Sequence, residues 1–536
     1  MAMIIGLAQI NPCVGDLEGN RQKIISFVKM AKRKRLDLLV FPELALVGYP
    51  PEDLLLKPHF IDKNVRFLKS IGAQAKGIDI ILGFVDKKND AIYNSCVYFE
   101  DGKIKDIYHK IYLPNSGVFD EKRYFSPGDT ISLYTFKKYK FSITICEDIW
   151  SKRYVNFLKK RGLDFIINIS ASPFHLGKIS LREKILAHAA RRTSSYVFYC
   201  NLVGGQDELV FDGTSKIISP QGKIIKLARR FEETLLTFTL NKKKRIYPSV
   251  KFRVRQDEEA FSALRLGLFD YVRKNGFKKV IVGVSGGIDS AVVVSLATIV
   301  LGRSNVFGLI MPAPYTSRET FSDAKKICEN LGIKYCVVNL KDIFHSYLTA
   351  LADFFREYKA NKAEENLQAR IRGNILMAFS NKFGYLVLNT GNKSEVSCGY
   401  CTLYGDMVGG FGVLKDVPKL LVYKLARFIN KLTRKEIIPR SVIRRAPSAE
   451  LKFHQRDTDA LPPYRVLDPI LKLYVEQDYP LDQIVKKGFR KDTVKRVIEM
   501  VDANEYKRRQ GPVGIKITPR AFGKDRRMPI TNKFQY

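Results

Sequence analysis

Short apolar runs alternate with longer amphipathic stretches along almost the whole chain, and no other feature constrains its fold as strongly. A chain with this rhythm buries its short runs as strands and lays helices over them, which is α/β architecture. In the first half the runs at 4–9, 38–41, 78–84, 95–99, 141–145 and 165–168 read as strands. Turn chemistry at Asn89-Asp90, Glu100-Asp101-Gly102 and Pro220-Gln221-Gly222 adds β-hairpins beside the helices. The rhythm lapses once, in a charged stretch between Asn241 and Glu259 that contains Pro248. A length of 536 residues calls for more than one domain. The division expected is a first domain over 1–245, a linker over 246–259 and a second domain over 260–536. The second half opens with a helix near 257–275 and a strand over 279–284. Strands at 305–310, 334–338 and 385–389 then alternate with helices near 290–301, 318–331, 344–358 and 364–382. That order is the signature of a doubly wound parallel sheet.

Composition excludes several classes. Hydrophobic residues at 46% and charged residues at 27% are ordinary for a globular protein and exclude disorder. No run approaches the roughly 20 apolar residues of a membrane span. Eight cysteines are too sparse for a disulfide framework and no secretory leader is legible, so a cytoplasmic protein is expected. Cys398-Gly399-Tyr400-Cys401 lacks a second pair and does not call for zinc. The net charge of +37 predicts anionic ligands. Its densest runs, at 32–35, 242–245 and 507–509, are short and scattered, so no specific nucleic-acid site is expected.

One segment carries phosphate chemistry: Gly283-Val284-Ser285-Gly286-Gly287-Ile288-Asp289-Ser290, placed between a strand and a helix. Small residues let backbone N–H groups approach an anion, and the helix N-terminus favours negative charge. Neither a Walker A lysine nor the dinucleotide Gly-x-Gly-x-x-Gly is present. The segment resembles the pyrophosphate loop of the N-type ATP pyrophosphatases. Further motifs are similar to those of NAD synthetases: 365–374, 390–395, 404–406, Leu414-Lys415-Asp416-Val417-Pro418-Lys419, 461–464 and 506–509. The resemblance implies a Rossmann-like sheet of the ATP pyrophosphatase type that takes ATP as a substrate through 283–290 and Thr390. It further implies deamido-NAD binding by Asn366, Glu395 and Lys507, and Mg²⁺ on Asp289 and Glu395. Arg370, Arg372, Lys415 and Lys507 are candidate phosphate cations. The two arginines, two apart on a helix, point to different faces.

In the first half Cys146 ends an apolar strand, Glu43 follows another and Lys110 a third. A thiol, a carboxylate base and an ammonium form an amide-cleaving set: base activates thiol, thiolate attacks, cation stabilises the oxyanion. With 117–125, these segments resemble the nitrilase/amidase superfamily, whose fold is an αββα sandwich. The resemblance casts Glu43 as base, Lys110 as oxyanion stabiliser, Cys146 as nucleophile and Glu121 as an assisting carboxylate. It places glutamine on Ser116, Ser172 and Lys178, with Ser116 standing where the fused enzymes usually carry Tyr. The two halves together resemble the glutamine-dependent NAD synthetases, homo-oligomers joined through their synthetase domains. Two other readings stay open on the residues alone: an ATP-pyrophosphatase amidotransferase making a different amide, and a basic RNA-modifying protein.

Overall fold

The computed structural model describes residues 2–241, 247–250 and 255–534. The chain forms two compact units, Met1–Val254 and Arg255–Tyr536. The basic run at 242–245 and part of the expected linker lie outside the described residues. The first helix of the second unit, Gln256–Lys274, takes in the last positions assigned to that linker.

The first unit is built on two six-stranded sheets. In one, Met3–Gln9, Leu38–Val40 and Asp79–Lys88 run parallel, and antiparallel strands Ala91–Glu100 and Lys103–His109 extend one edge. In the other, Tyr139–Ile145, Phe165–Ser170 and Tyr196–Asn201 form the parallel centre. Alternating side chains of both sheets build one apolar core, including Leu7, Val40, Ile81, Phe141, Ile167 and Phe198. Helices Leu17–Arg33 and Pro58–Ala73 cover the first sheet through Ile24, Val28, Leu68 and Ile71. Lys152–Lys159 and Lys178–Thr193 cover the second through Val155, Leu158, Leu186 and Ala190. The result is the helix–sheet–sheet–helix sandwich expected from the nitrilase resemblance. The Asp101-Gly102 turn has both residues at positive φ (49° and 82°), the backbone a two-residue hairpin needs.

The second unit carries a five-stranded, wholly parallel sheet. In spatial order its strands are Lys334–Val337, Val306–Ile310, Val280–Gly283, Leu386–Asn389 and Phe411–Gly412. Chain order therefore reverses direction beside Val280–Gly283, and the loops leaving the strands there open a crevice. Ile281, Leu309 and Val387 pack against Phe344 of helix Lys341–Phe355 and Ile371 and Leu376 of helix Lys362–Phe383. A separate helical cluster over 461–501 centres on Leu467, Ile470, Val494 and Val497. No helix among the described residues is long and apolar enough to cross a membrane.

Candidate active sites

In the first unit, strand pairing gathers the candidate residues at one end. Glu43 leaves the parallel strand Leu38–Val40, and the backbone of residues 42–44 crosses Gly83. A Cβ on Gly83 would lie 2.3 Å from the Pro42 carbonyl oxygen, so only glycine admits this approach. Register places Val85 opposite Asn94, and the Lys110 N–H donates to the Asn94 carbonyl at 2.9 Å. Lys103–His109, two antiparallel pairings away from Asp79–Lys88, runs in the same direction as Leu38–Val40, so Lys110 leaves its strand at the same end as Glu43. Its Nζ donates to Glu43 Oε1 at 2.6 Å and to Glu121 Oε1 at 2.8 Å. Asn94 Nδ2 donates to Glu43 Oε1 at 2.8 Å, the Ala171 N–H to Glu43 Oε2 at 2.7 Å, and the Tyr49 hydroxyl to Glu121 Oε1 at 2.8 Å. All four of Glu43, Lys110, Glu121 and Cys146 are buried.

Cys146 begins the short turn Cys146–Trp150 immediately after its strand, with a φ of 44° that side chains rarely adopt. Burial pushes its thiol well above the usual range, the Glu43 carboxylate adds to this and the Lys110 ammonium opposes it. The resting thiol is therefore neutral and needs a base at the moment of attack. Burial works against the Lys110 ammonium, but Glu121 and Glu43 outweigh it and keep the lysine charged. Burial lifts Glu121 to about 7 against the pull of Lys110.

In the second unit the turn after Val280–Gly283 opens into a cavity of about 310 Å³. Gly286 has a φ of 83°, and a Cβ there would meet the Thr320 carbonyl oxygen at 2.2 Å. Ser285 and Ser290 hold the turn closed, with their hydroxyls 3.0 Å apart and the Gly287 N–H on Ser285 Oγ at 3.2 Å. Asp289 faces inward: its Oδ2 accepts from Lys419 Nζ at 2.6 Å and its Oδ1 from Asn392 Nδ2 at 2.9 Å. The same ammonium donates to Glu395 Oε1 at 2.8 Å. Two carboxylates from the first turns of different helices, Ile288–Leu301 and Lys393–Cys398, thus converge on one cation. The cavity is also lined by Thr390, Arg372, Lys415 and the segment 445–451.

The chain matches a carbon-nitrogen hydrolase family model over residues 4–245 and an NAD synthase family model over 260–511. It is 46% identical to the glutamine-dependent NAD(+) synthetase of Thermotoga maritima, covering 99% of each chain. It is 45% identical to the enzyme of that name from Aquifex aeolicus, covering 98% of this chain and 99% of the other. The chain belongs to the glutamine-dependent NAD(+) synthetase family. A solved synthetase of that description from Acinetobacter baumannii, in complex with adenosine diphosphate, has 41% identity and a TM-score of 0.80 over 99% of both chains. One from Cytophaga hutchinsonii, at 22% identity, shares the fold with a TM-score of 0.86.

For a member of this synthetase family, the remaining candidate residues fall in two groups. Ser172 is buried beside Ala171, its N–H on Asn201 Oδ1 at 2.9 Å. Lys178 starts its helix with Nζ 4.8 Å from the Trp150 ring centroid. Ser116 stands on an exposed turn, its carbonyl accepting the Phe119 N–H at 3.1 Å. Thr390, Glu395 and 283–290 line the cavity, whereas Asn366 and Lys507 are not among its lining residues. Asn366 Oδ1 accepts from Thr402 Oγ1 at 2.7 Å, and Lys507 Nζ donates to the Gly399 and Cys401 carbonyls at 2.8 and 3.0 Å. Arg372 lines the cavity with its Nε on the Met311 carbonyl, and burial lowers it to about 10. Arg370 is exposed and donates to the Leu403 carbonyl. The sequence pattern does not reveal Tyr49, Asn94 or the pairing role of Lys419. The last stands within the 414–419 motif, but only the fold brings it to Asp289.

Proposed function

We propose that the protein makes NAD from deamido-NAD, spending ATP and taking the amide nitrogen from glutamine. In the first unit, Glu43 accepts the Cys146 thiol proton as Sγ attacks the glutamine side-chain carbonyl. Lys110 balances the oxyanion, and its two carboxylate partners keep it charged and fixed. The C–N bond breaks, the proton returns to the leaving nitrogen, and ammonia departs. Water then attacks the thioester, giving glutamate and restoring the thiol. Ser172, Lys178 and Ser116 hold glutamine.

In the second unit, the deamido-NAD carboxylate attacks the α-phosphorus of ATP and pyrophosphate leaves. Ammonia then attacks the acyl-adenylate carbonyl, expelling AMP and leaving the amide. The 283–290 turn receives the phosphates and Thr390 the nucleotide. Asn366 and Lys507 shape the deamido-NAD side through the 399–402 turn that carries the lining residues Tyr400 and Cys401. The residues fit Mg²⁺: Asp289 and Glu395 already converge on a single cation, Lys419. One or two carboxylates plus substrate phosphates are the usual Mg²⁺ donors. Asp289 and Glu395 would hold the ion, which would supply neutralisation of phosphate charge. We further propose a cytoplasmic homo-oligomer joined through the synthetase units. The eight free cysteines support the compartment, and the exposed Ile343, Tyr347, Phe354 and Tyr358 support the association.

The observation that carries the reading is a buried thiol–carboxylate–ammonium set and a glycine-turn cavity within one chain that covers 99% of the Thermotoga maritima and Aquifex aeolicus enzymes. Incubation with glutamine, Mg-ATP and deamido-NAD, followed by mass spectrometry, should give NAD, AMP and pyrophosphate in equal amounts, with at least as much glutamate. A different amide product, or none, would refute it.

A further inference from the structure

Asp148, two residues after Cys146, has no exposed surface, yet its carboxylate takes four hydrogen bonds. Oδ2 accepts the Ile145 N–H at 2.9 Å and the Tyr108 hydroxyl at 2.7 Å. Oδ1 accepts the Ile111 N–H at 3.1 Å and the Tyr112 N–H at 2.9 Å. The bond to Ile145 is an ordinary turn cap. The other three reach segments 36 to 40 residues away in sequence, which local capping does not require.

Those segments are the ones that matter for chemistry. Ile145 directly precedes Cys146, Ile111 and Tyr112 directly follow Lys110, and Tyr108 lies on the strand leading to it. One buried carboxylate therefore clamps the backbone that presents the nucleophile to the backbone that presents the oxyanion cation. We propose that Asp148 is a positioning residue of the glutamine site, fixing Cys146 relative to Lys110 without touching substrate. Cys146 sits in a backbone conformation that the surrounding structure must enforce, and Asp148 supplies that restraint from both sides. The proposal rests on the glutaminase reading above.

Asp148→Asn tests it with little change in volume. An amide has one acceptor oxygen, so one pair of incoming donors meets an NH₂ group and the clamp opens on one side. Misplacement of this kind costs on the order of 100-fold in rate. The full-length variant should lose about that factor in glutaminase kcat, with the glutamine KM essentially unchanged. Alkylation of the Cys146 peptide by iodoacetamide, followed by mass spectrometry, should change in rate as well. NAD synthesis from ammonium salts should match wild type, which reports an intact second unit, and an unchanged thermal unfolding of the first unit reports that its fold is intact. Equal losses in both activities, a change confined to KM, or an unchanged kcat would overturn the proposal. If Asp148→Asn does not fold, Tyr108→Phe removes one of the four bonds and should lower glutaminase kcat alone. An unchanged kcat in that variant overturns the proposal too. Absence of glutaminase activity in wild type would instead overturn the underlying reading.

Discussion

Glu121 shows how burial and charge compete at a single residue. Burial raises its carboxyl from the ordinary 4.5 to about 7, although Lys110 and Tyr49 both donate to it. Between those values the folded chain holds a proton that the unfolded chain has released, so this residue's contribution to stability is lost as pH rises from about 4.5 to about 7. The loss is at most about 1.4 kcal/mol per pH unit. Glu121→Gln should flatten that part of the melting-temperature profile, and an unchanged slope would show that another group carries it. Glu43 and Cys146 are legible in the sequence because each stands just past an apolar run, and Lys110 because the segment around it resembles that of the nitrilase/amidase superfamily. Asn94 and Tyr49 are not, because their places depend on which strands pair and how loops fold back, which no local pattern records. Lys419 is hidden for the same reason: 130 residues separate it from Asp289.

At the scale of the element, the turn over 283–290 has its geometry dictated by Gly286. A Cβ at a φ of 83° is strained and also strikes the Thr320 carbonyl. Gly286→Ala should raise the KM for ATP about tenfold or more, as expected of strain costing about 1–3 kcal/mol. Glutamine hydrolysis, measured without ATP, should be unaffected; an unchanged KM for ATP would mean the turn does not receive the phosphates. This turn is legible in the sequence because composition and position agree: small residues between a buried strand and a helix. The hairpin at Asp101-Gly102 is legible from its turn. The strand it leads into, Lys103–His109, is not, since Lys103, Lys105 and Asp106 break the apolar run at an exposed sheet edge. Likewise, residues 445–451 carry no regular element, yet they form a cavity wall. Arg445 and Glu450 tie that segment to Thr320 from either end, Arg445 Nη1 at 3.0 Å and Glu450 Oε1 at 2.8 Å.

For the whole molecule, the net charge of +37 is far larger than the proposed substrates require. Arg372, Lys415, Lys419, Arg445 and Arg508 line the cavity of the second unit, a small share of the 91 basic residues. Charge of this kind governs solubility and non-specific association, and it does not select a fold or a reaction. What defines the molecule is two chemistries in two units of one chain, with ammonia as the species they share. Asp289→Ala should abolish NAD formation from either nitrogen source while glutamine hydrolysis, followed as glutamate release, continues. Loss of both would show that the sites do not act separately. The most direct measurement is NAD formation by Cys146→Ala with glutamine and, in parallel, with ammonium salts. No NAD should form from glutamine and NAD should form from ammonium at a near wild-type rate; equal loss of both in a folded variant, or persistence of the glutamine reaction, would contradict two separate sites with Cys146 as the nucleophile of the first.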